Sequence, residues 1–119
     1  MKLLWLLVLH SASGAAFACT PPLPDERLAR EGRNVIIGKV VSPGFTQSRP
    51  DGMPEMLVKI ERLEILSGRT PATVSAVSPC ALPLQLGERV VVATFAGRRY
   101  VYPADMYEES FKQVHRRER

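Results

Sequence analysis

The chain has 119 residues, 45% hydrophobic and 24% charged, with two cysteines and a formal net charge of +4. That suits one globular domain of ordinary size and excludes a disordered chain, a collagen-like fibre and a disulfide-dense miniprotein. The apolar run from Leu3 to Leu9 falls well short of the roughly 20 residues that cross a bilayer.

Lys2, the run Leu3-Leu4-Trp5-Leu6-Leu7-Val8-Leu9 and the triplet Ala16-Phe17-Ala18 follow the order of a secretory signal peptide: positive end, apolar core, A-x-A cleavage site. A buried N-terminal helix is the structural alternative, but the small residues from Ser11 to Ala16 favour processing. The chain therefore divides into a signal peptide, 1–18, and a single domain, 19–119, that works in the periplasm or outside the cell. This mature part has 101 residues and a net charge of +3, because Lys2 is the only charged residue lost.

Export changes the meaning of the cysteines. In an oxidising compartment Cys19 and Cys80 are the one intramolecular pair available. Closing that loop restricts the unfolded chain by about 4 kcal/mol in the chain-entropy model. A rival reading makes Cys19, the first mature residue, a lipoprotein acylation site. The large aromatic Phe17 two residues before it argues against this, and lipidation leaves Cys80 unpaired.

Along the mature chain, Cys19 to Pro24 is extended because Pro21, Pro22 and Pro24 block a helix. Asp25 to Arg30 suits a short helical turn closed by Gly32. Val35 to Val41 is β-branched and ends at Ser42-Pro43-Gly44, which predicts a strand; Gly38 inside it marks a bend or a close backbone approach. Phe45 to Pro54 is expected to be a loop. Met56, Val58 and Ile60 alternate, then the pattern resumes at Leu63 and Ile65, and that slip predicts a β-bulge in a long strand. A helix also fits part of this segment, but the alternation favours strand. After a turn at Ser67 to Pro71 come a third strand, Thr73 to Ser78, and then Pro79-Cys80. Arg89 to Phe95 and Arg99 to Tyr102 form a hairpin about Gly97. Pro103 opens a helix whose Tyr107, Phe111 and Val114 share one face, with Glu108, Glu109, Lys112 and Arg116 on the other. Five strands, a short N-terminal helix and a C-terminal helix predict a mainly β fold, an OB-like antiparallel barrel.

The order of these features resembles the netrin-like domains, in particular the N-terminal domain of the tissue inhibitors of metalloproteinases and their small bacterial relatives. The resemblance spans Cys19 to Phe111. It is carried by Cys19-Thr20-Pro21-Pro22 directly after the leader, the Val/Ile strand with an internal Gly, and the short strand running into Cys80. It implies that the first cysteine is disulfide-bonded, that its α-amine and carbonyl chelate the zinc of a target protease, and that the next residue enters the specificity pocket. Cys19 and Thr20 match those positions. The third mature residue is Pro21 where the inhibitors have a second cysteine, and the family's other disulfides and its C-terminal domain have no counterpart here.

Chemistry of other kinds is sparse in the sequence. His115 is the one mature histidine, and no Cys/His/carboxylate spacing suits a metal site of the protein's own. A Cys80–His115 nucleophile pair is outweighed by a structural cysteine and a solvated tail histidine. The paired acids Glu61, Glu64, Glu108 and Glu109 fit solvent faces better than catalysis, so neither an enzyme nor a cofactor is expected. The basic residues Arg98, Arg99, Arg116 and Arg117, with Tyr100 and Tyr102 beside the first pair, raise the question of nucleic acid. Export and a modest charge argue against it. The expected function is an exported protein-binding module whose partner is another protein, a metalloprotease if the resemblance extends to activity. The alternative is an envelope-associated structural or lipoprotein-type protein using its basic residues on anionic surfaces, with membrane attachment only if Cys19 is lipidated.

Overall fold

The computed structural model describes residues 22–52 and 54–117. Helix α1 spans Glu26–Glu31. Asp25 starts it by accepting the Leu28 amide at 2.7 Å, which satisfies a donor that a helix end otherwise leaves open. Gly32 stops it, its amide reaching the Leu28 carbonyl at 3.3 Å.

Strands β1 (Arg33–Ser48), β2 (Pro54–Ile65), β3 (Thr73–Ser78), β4 (Arg89–Phe95) and β5 (Arg98–Pro103) close a barrel in the order β1-β2-β3-β5-β4. A 3₁₀ turn, Pro79–Ala81, follows β3, and helix α2, Ala104–Arg117, ends the fold. All neighbouring strands are antiparallel except β3 and β5, which meet in parallel at Val77 and Tyr100. The OB-like barrel with a short N-terminal helix and a C-terminal helix is thus the observed architecture, with one parallel seam.

Several segments depart from the sequence expectation. β1 does not stop at Ser42-Pro43-Gly44 but runs on to Ser48, so most of the expected loop is strand, and β2 begins at Pro54. Register shifts between Val40 and Ser42, and again between Ser42 and Phe45, absorb Pro43, which lacks an amide to give to the ladder. At the other end of the β1–β2 pair, Ile37 faces Glu64 while Gly38 faces Arg62. Leu63 is therefore the extra residue of the bulge that the pattern predicts. Leu63 and Ile65 nevertheless stay 48% and 37% exposed, and Leu66, at 5%, is the residue that enters the core. Pro103 likewise closes β5 rather than opening α2, pairing with Val90.

Both surfaces of the Val/Ile-rich strands are buried. Alternate residues, among them Ile36, Val58, Ile60, Val90, Val92 and Val101, fill the barrel together with Leu84. The intervening ones, Val35, Ile37, Val91, Ala93 and Tyr102, pack outward against Tyr107, Phe111 and Val114 of α2 and Ala29 of α1. Tyr102 and Tyr107 stack at 4.7 Å, and burial raises both phenol pKa values. His115 is not the solvated tail residue expected from sequence. It is 4% exposed, its ring is parallel to that of Phe111, and its Nε2 donates to the Ala29 carbonyl at 3.0 Å. Because α2 continues to Arg117, His115 falls four residues after Phe111 and so shares its inward face.

Candidate functional site

Two regions gather polar side chains, one at the β4–β5 hairpin and one where α2 begins. The hairpin turns on Ala96 and Gly97, both at positive φ (+51° and +79°), the backbone of a tight primed turn. It leads into Arg98 and Arg99. The Arg98 guanidinium meets the Glu55 carboxylate at 2.6 Å, and Gln47 donates to the same oxygen at 3.0 Å. Glu55 is 4% exposed. The cluster therefore ties the distal β1–β2 ladder to the hairpin through an ion pair whose carboxylate is buried and whose guanidinium is half-exposed. The hydrogen bond to Glu55 raises the Arg98 pKa, and its guanidinium also lies 5.9 Å from the centre of the Tyr100 ring.

Arg99 has a different setting. It stands opposite Thr94 across the hairpin, it is exposed, and among the described residues it makes no ion pair. Arg98 and Arg99 border a shallow groove of about 390 Å³, floored by Leu57, Ser75 and Val77 of the outer β2–β3 face. Asn34 and Thr94 also line it. OB barrels commonly engage ligands over strands 2 and 3, between the loops joining β1 to β2 and β4 to β5; this groove touches strands 2 and 3 and the β4–β5 hairpin, and none of its lining residues comes from the β1–β2 loop.

At the start of α2, Arg89 holds Glu108 with two hydrogen bonds of 2.6 and 3.1 Å, and Lys112 reaches the same carboxylate at 2.8 Å. The Arg89 hydrogen bond above all lowers the Glu108 carboxyl pKa from 4.5 to about 2. Glu88, Ala104 and Asp105 border a cavity of about 450 Å³ beside this pair. Next to it, the Tyr107 hydroxyl donates to the Pro22 carbonyl. That bond moors the incoming N-terminal segment to α2, while Leu23 stays 77% exposed.

Of the residues singled out by sequence, Cys19 and Thr20 lie outside the described residues. Cys80 sits in the 3₁₀ turn directly after β3, half-buried, at φ +60°. Arg98 and Arg99 border the groove. Arg116 is exposed on α2, away from the groove lining, and Arg117 is the last residue of that helix. Glu61, Glu64 and Glu109 are solvent-facing as expected, whereas Glu108 is half-buried in its ion-pair cluster. Glu55 and Gln47 carry no sequence signal: Gln47 falls in the segment expected to be loop, and Glu55 lies between that loop and the strand pattern that starts at Met56. Among the described residues no three of His, Cys, Asp and Glu converge as metal ligands, and no helix is long and apolar enough to cross a membrane. Comparison with known proteins finds no matching family model, no matching curated protein and no matching solved structure.

Proposed function

We propose that this chain is an exported, non-enzymatic protein-binding module that presents its mature N-terminus, fixed by a Cys19–Cys80 bridge, to a partner protease. The observation that carries the reading is the Tyr107–Pro22 hydrogen bond, which holds the segment behind Cys19 against the body of the domain. Glu88, in the loop that begins at Cys80, borders the same cavity as Ala104 and Asp105 of α2, three and two residues before Tyr107. This sets the far end of that loop beside the start of α2. No described cysteine is free, which fits the same pairing.

By the resemblance to the metalloproteinase inhibitors, the Cys19 α-amine and carbonyl would bind the target's zinc and Thr20 would occupy the adjoining pocket. Protein processed to Cys19 is expected to inhibit a zinc protease. Acetylating the amine, or adding one residue ahead of Cys19, should abolish that inhibition; inhibition that survives either change refutes the mechanism. Intact mass tests the bridge separately. A deficit of two hydrogens is expected, and an added diacylglyceryl group would place Cys19 in a lipoprotein instead.

One observation favours the alternative reading of an envelope protein on anionic surfaces: Arg99 and Arg116 are exposed. Against it, Arg98 is neutralised by Glu55 and Arg116 stands apart from the hairpin pair, so these side chains do not form one basic patch. Exposed ionic contacts weaken with salt, and envelope binding unchanged at high salt would exclude this mode.

A further inference from the structure

Strand β1 outruns one of its neighbours. β4 covers one edge of it only from Arg33 to Lys39. The loop before β4 closes the next step, where Val40 donates to the Glu88 carbonyl and accepts from the Gly87 amide. Beyond Val40, β1 continues to Ser48 with β2 on its other edge alone. Ser48 faces Pro54, which has no amide, so that rung is not a hydrogen-bonded one. Rung type alternates along an antiparallel ladder: Gln47 and Glu55 therefore exchange backbone bonds, and Thr46, opposite Met56, does not. Thr46 and Ser48 thus turn their N–H and C=O groups to the open side. Both residues are exposed, and among the described residues no strand, turn or loop backbone bonds to them there. Native sheets commonly blunt such an edge with lysine, proline or a bulge. Pro43 and the register shift before Phe45 do so for the first part, but Phe45-Thr46-Gln47-Ser48 carries neither charge nor proline.

We infer that this edge pairs with itself, joining two copies of the chain by antiparallel β1–β1 addition about a two-fold axis at Gln47. The open stretch is self-complementary. With the two Gln47 residues opposite each other, Thr46 of each copy exchanges both backbone bonds with Ser48 of the other, and Thr against Ser is a favourable cross-strand pair. The limits of the stretch fit the same centre. The register shift after Ser42 ends regular pairing on one side, and the turn in which the Gly52 amide reaches the Arg49 carbonyl ends it on the other. No charged residue lies between Val41 and Ser48, and Arg49 is neutralised by Asp51 at 2.9 Å, so two copies of a basic chain meet here without like charges opposed. So short an edge buries less than the roughly 1,200 Å² of a stable interface, which makes the dimer a reversible one. The pairing does not involve the N-terminus, and its fate does not depend on whether the chain inhibits a protease.

Sedimentation velocity of the full mature protein, followed up to about 1 mM, is expected to show a monomer–dimer equilibrium that emerges above about 0.1 mM. Thr46→Pro removes an amide from the open edge, a position where a strand tolerates proline, and should weaken dimerisation about tenfold or more. Thr46→Lys brings a charge from each copy to the seam and should do the same. Gln113→Lys, an equal change of charge at an exposed position on α2, should leave the dissociation constant within about twofold, since a distant exposed charge is screened. Thr46 and Gln113 are both exposed, so unchanged circular dichroism is expected and separates lost association from lost folding; if the proline disturbs the ladder, Thr46→Lys alone decides. Hydrogen exchange locates the contact, because the Thr46 and Ser48 amides should exchange more slowly in the dimer than in the monomer. The inference is overturned if the wild-type protein stays monomeric throughout, if Thr46→Lys dimerises as well as wild type, or if Gln113→Lys weakens the dimer equally. It is also overturned if a dimer forms without slowing exchange at Thr46 and Ser48, because another surface would then join the copies.

Discussion

Replacing Gly38 by alanine tests the account of the β1–β2 ladder at its tightest point. Gly38 lies at the β-bulge, facing Arg62. A Cβ built there would sit 2.5 Å from the Ile60 Cγ2 and 2.7 Å from the Glu61 carbonyl oxygen. Ile60 is wholly buried, so its methyl has little room to turn, and the carbonyl belongs to the neighbouring strand's backbone. Two effects compete. Alanine reduces the freedom of the unfolded chain, a gain of about 0.4–1 kcal/mol where the native backbone accepts it. Overpacking a closed site costs about 1–3 kcal/mol, and here relief requires β1 and β2 to separate. The steric effect wins, leaving a net loss of about 1–2 kcal/mol. For a domain of this size that lowers the thermal midpoint by roughly 5–15 °C. Thermal unfolding followed by circular dichroism measures the shift. An unchanged or raised midpoint in Gly38→Ala would show that the strands do not approach as described.

Three further outcomes follow from the polar clusters and the hairpin. Arg98→Ala leaves the buried Glu55 carboxylate with Gln47 alone; because Arg98 itself is half-exposed and water can enter, the loss should be about 1–3 kcal/mol rather than that of a fully buried pair. A urea midpoint equal to wild type would contradict this. The Glu108 carboxyl pKa is lower in the folded chain than its ordinary 4.5, falling to about 2, so its contribution is complete above pH 4.5 and disappears as the pH falls toward 2. Arg89 is half-exposed to solvent, which limits that contribution to about 1–2 kcal/mol; Glu108→Gln should flatten the acid limb of a stability-against-pH curve between those values, and an identical limb would refute the assignment. Ala96 adopts φ +51°, which suits asparagine better than alanine in a primed turn, so Ala96→Asn should raise stability by about 0.5–1 kcal/mol in the same urea titration, and a lowered midpoint would contradict the turn.

The parts of the fold that are legible in sequence are those where local chemistry and tertiary packing agree. β3 and β4 occupy the predicted spans, Thr73 to Ser78 and Arg89 to Phe95, because β-branched runs there meet Pro79 at one boundary and Gly87 and Gly97 at others. β1 was cut short because Pro43 and Gly44 carry the local signature of a terminator, whereas the ladder with β2 continues past them through two register shifts. His115 departs from its sequence expectation for a related reason: its neighbours Arg116 and Arg117 suggest a solvated tail, and only the packing of α2 on α1 makes its position an inward one. At the groove, sequence singled out Arg98 and Arg99 but not Leu57, Ser75 or Val77. Which outer faces lie beside the hairpin is decided by closure of β3 on β5, a contact between distant segments that no local pattern announces.

That closure also explains why two adjacent arginines have opposite fates. Successive residues of a strand point to opposite sides, so Arg98 and Arg99 cannot share a partner. Arg98 faces the Glu55–Gln47 cluster and reinforces a barrel whose β3–β5 seam has a single paired rung. Arg99 faces Thr94 and remains available to solvent. A basic dipeptide that looks in sequence like one charged patch is thus a structural residue followed by a solvent-facing one. Single substitutions separate the two roles: Arg98→Ala should lower stability, whereas Arg99→Ala should leave the unfolding free energy within about 0.5 kcal/mol of wild type in the same urea titration. If both substitutions lower stability to the same extent, Arg99 is part of the framework and the division fails.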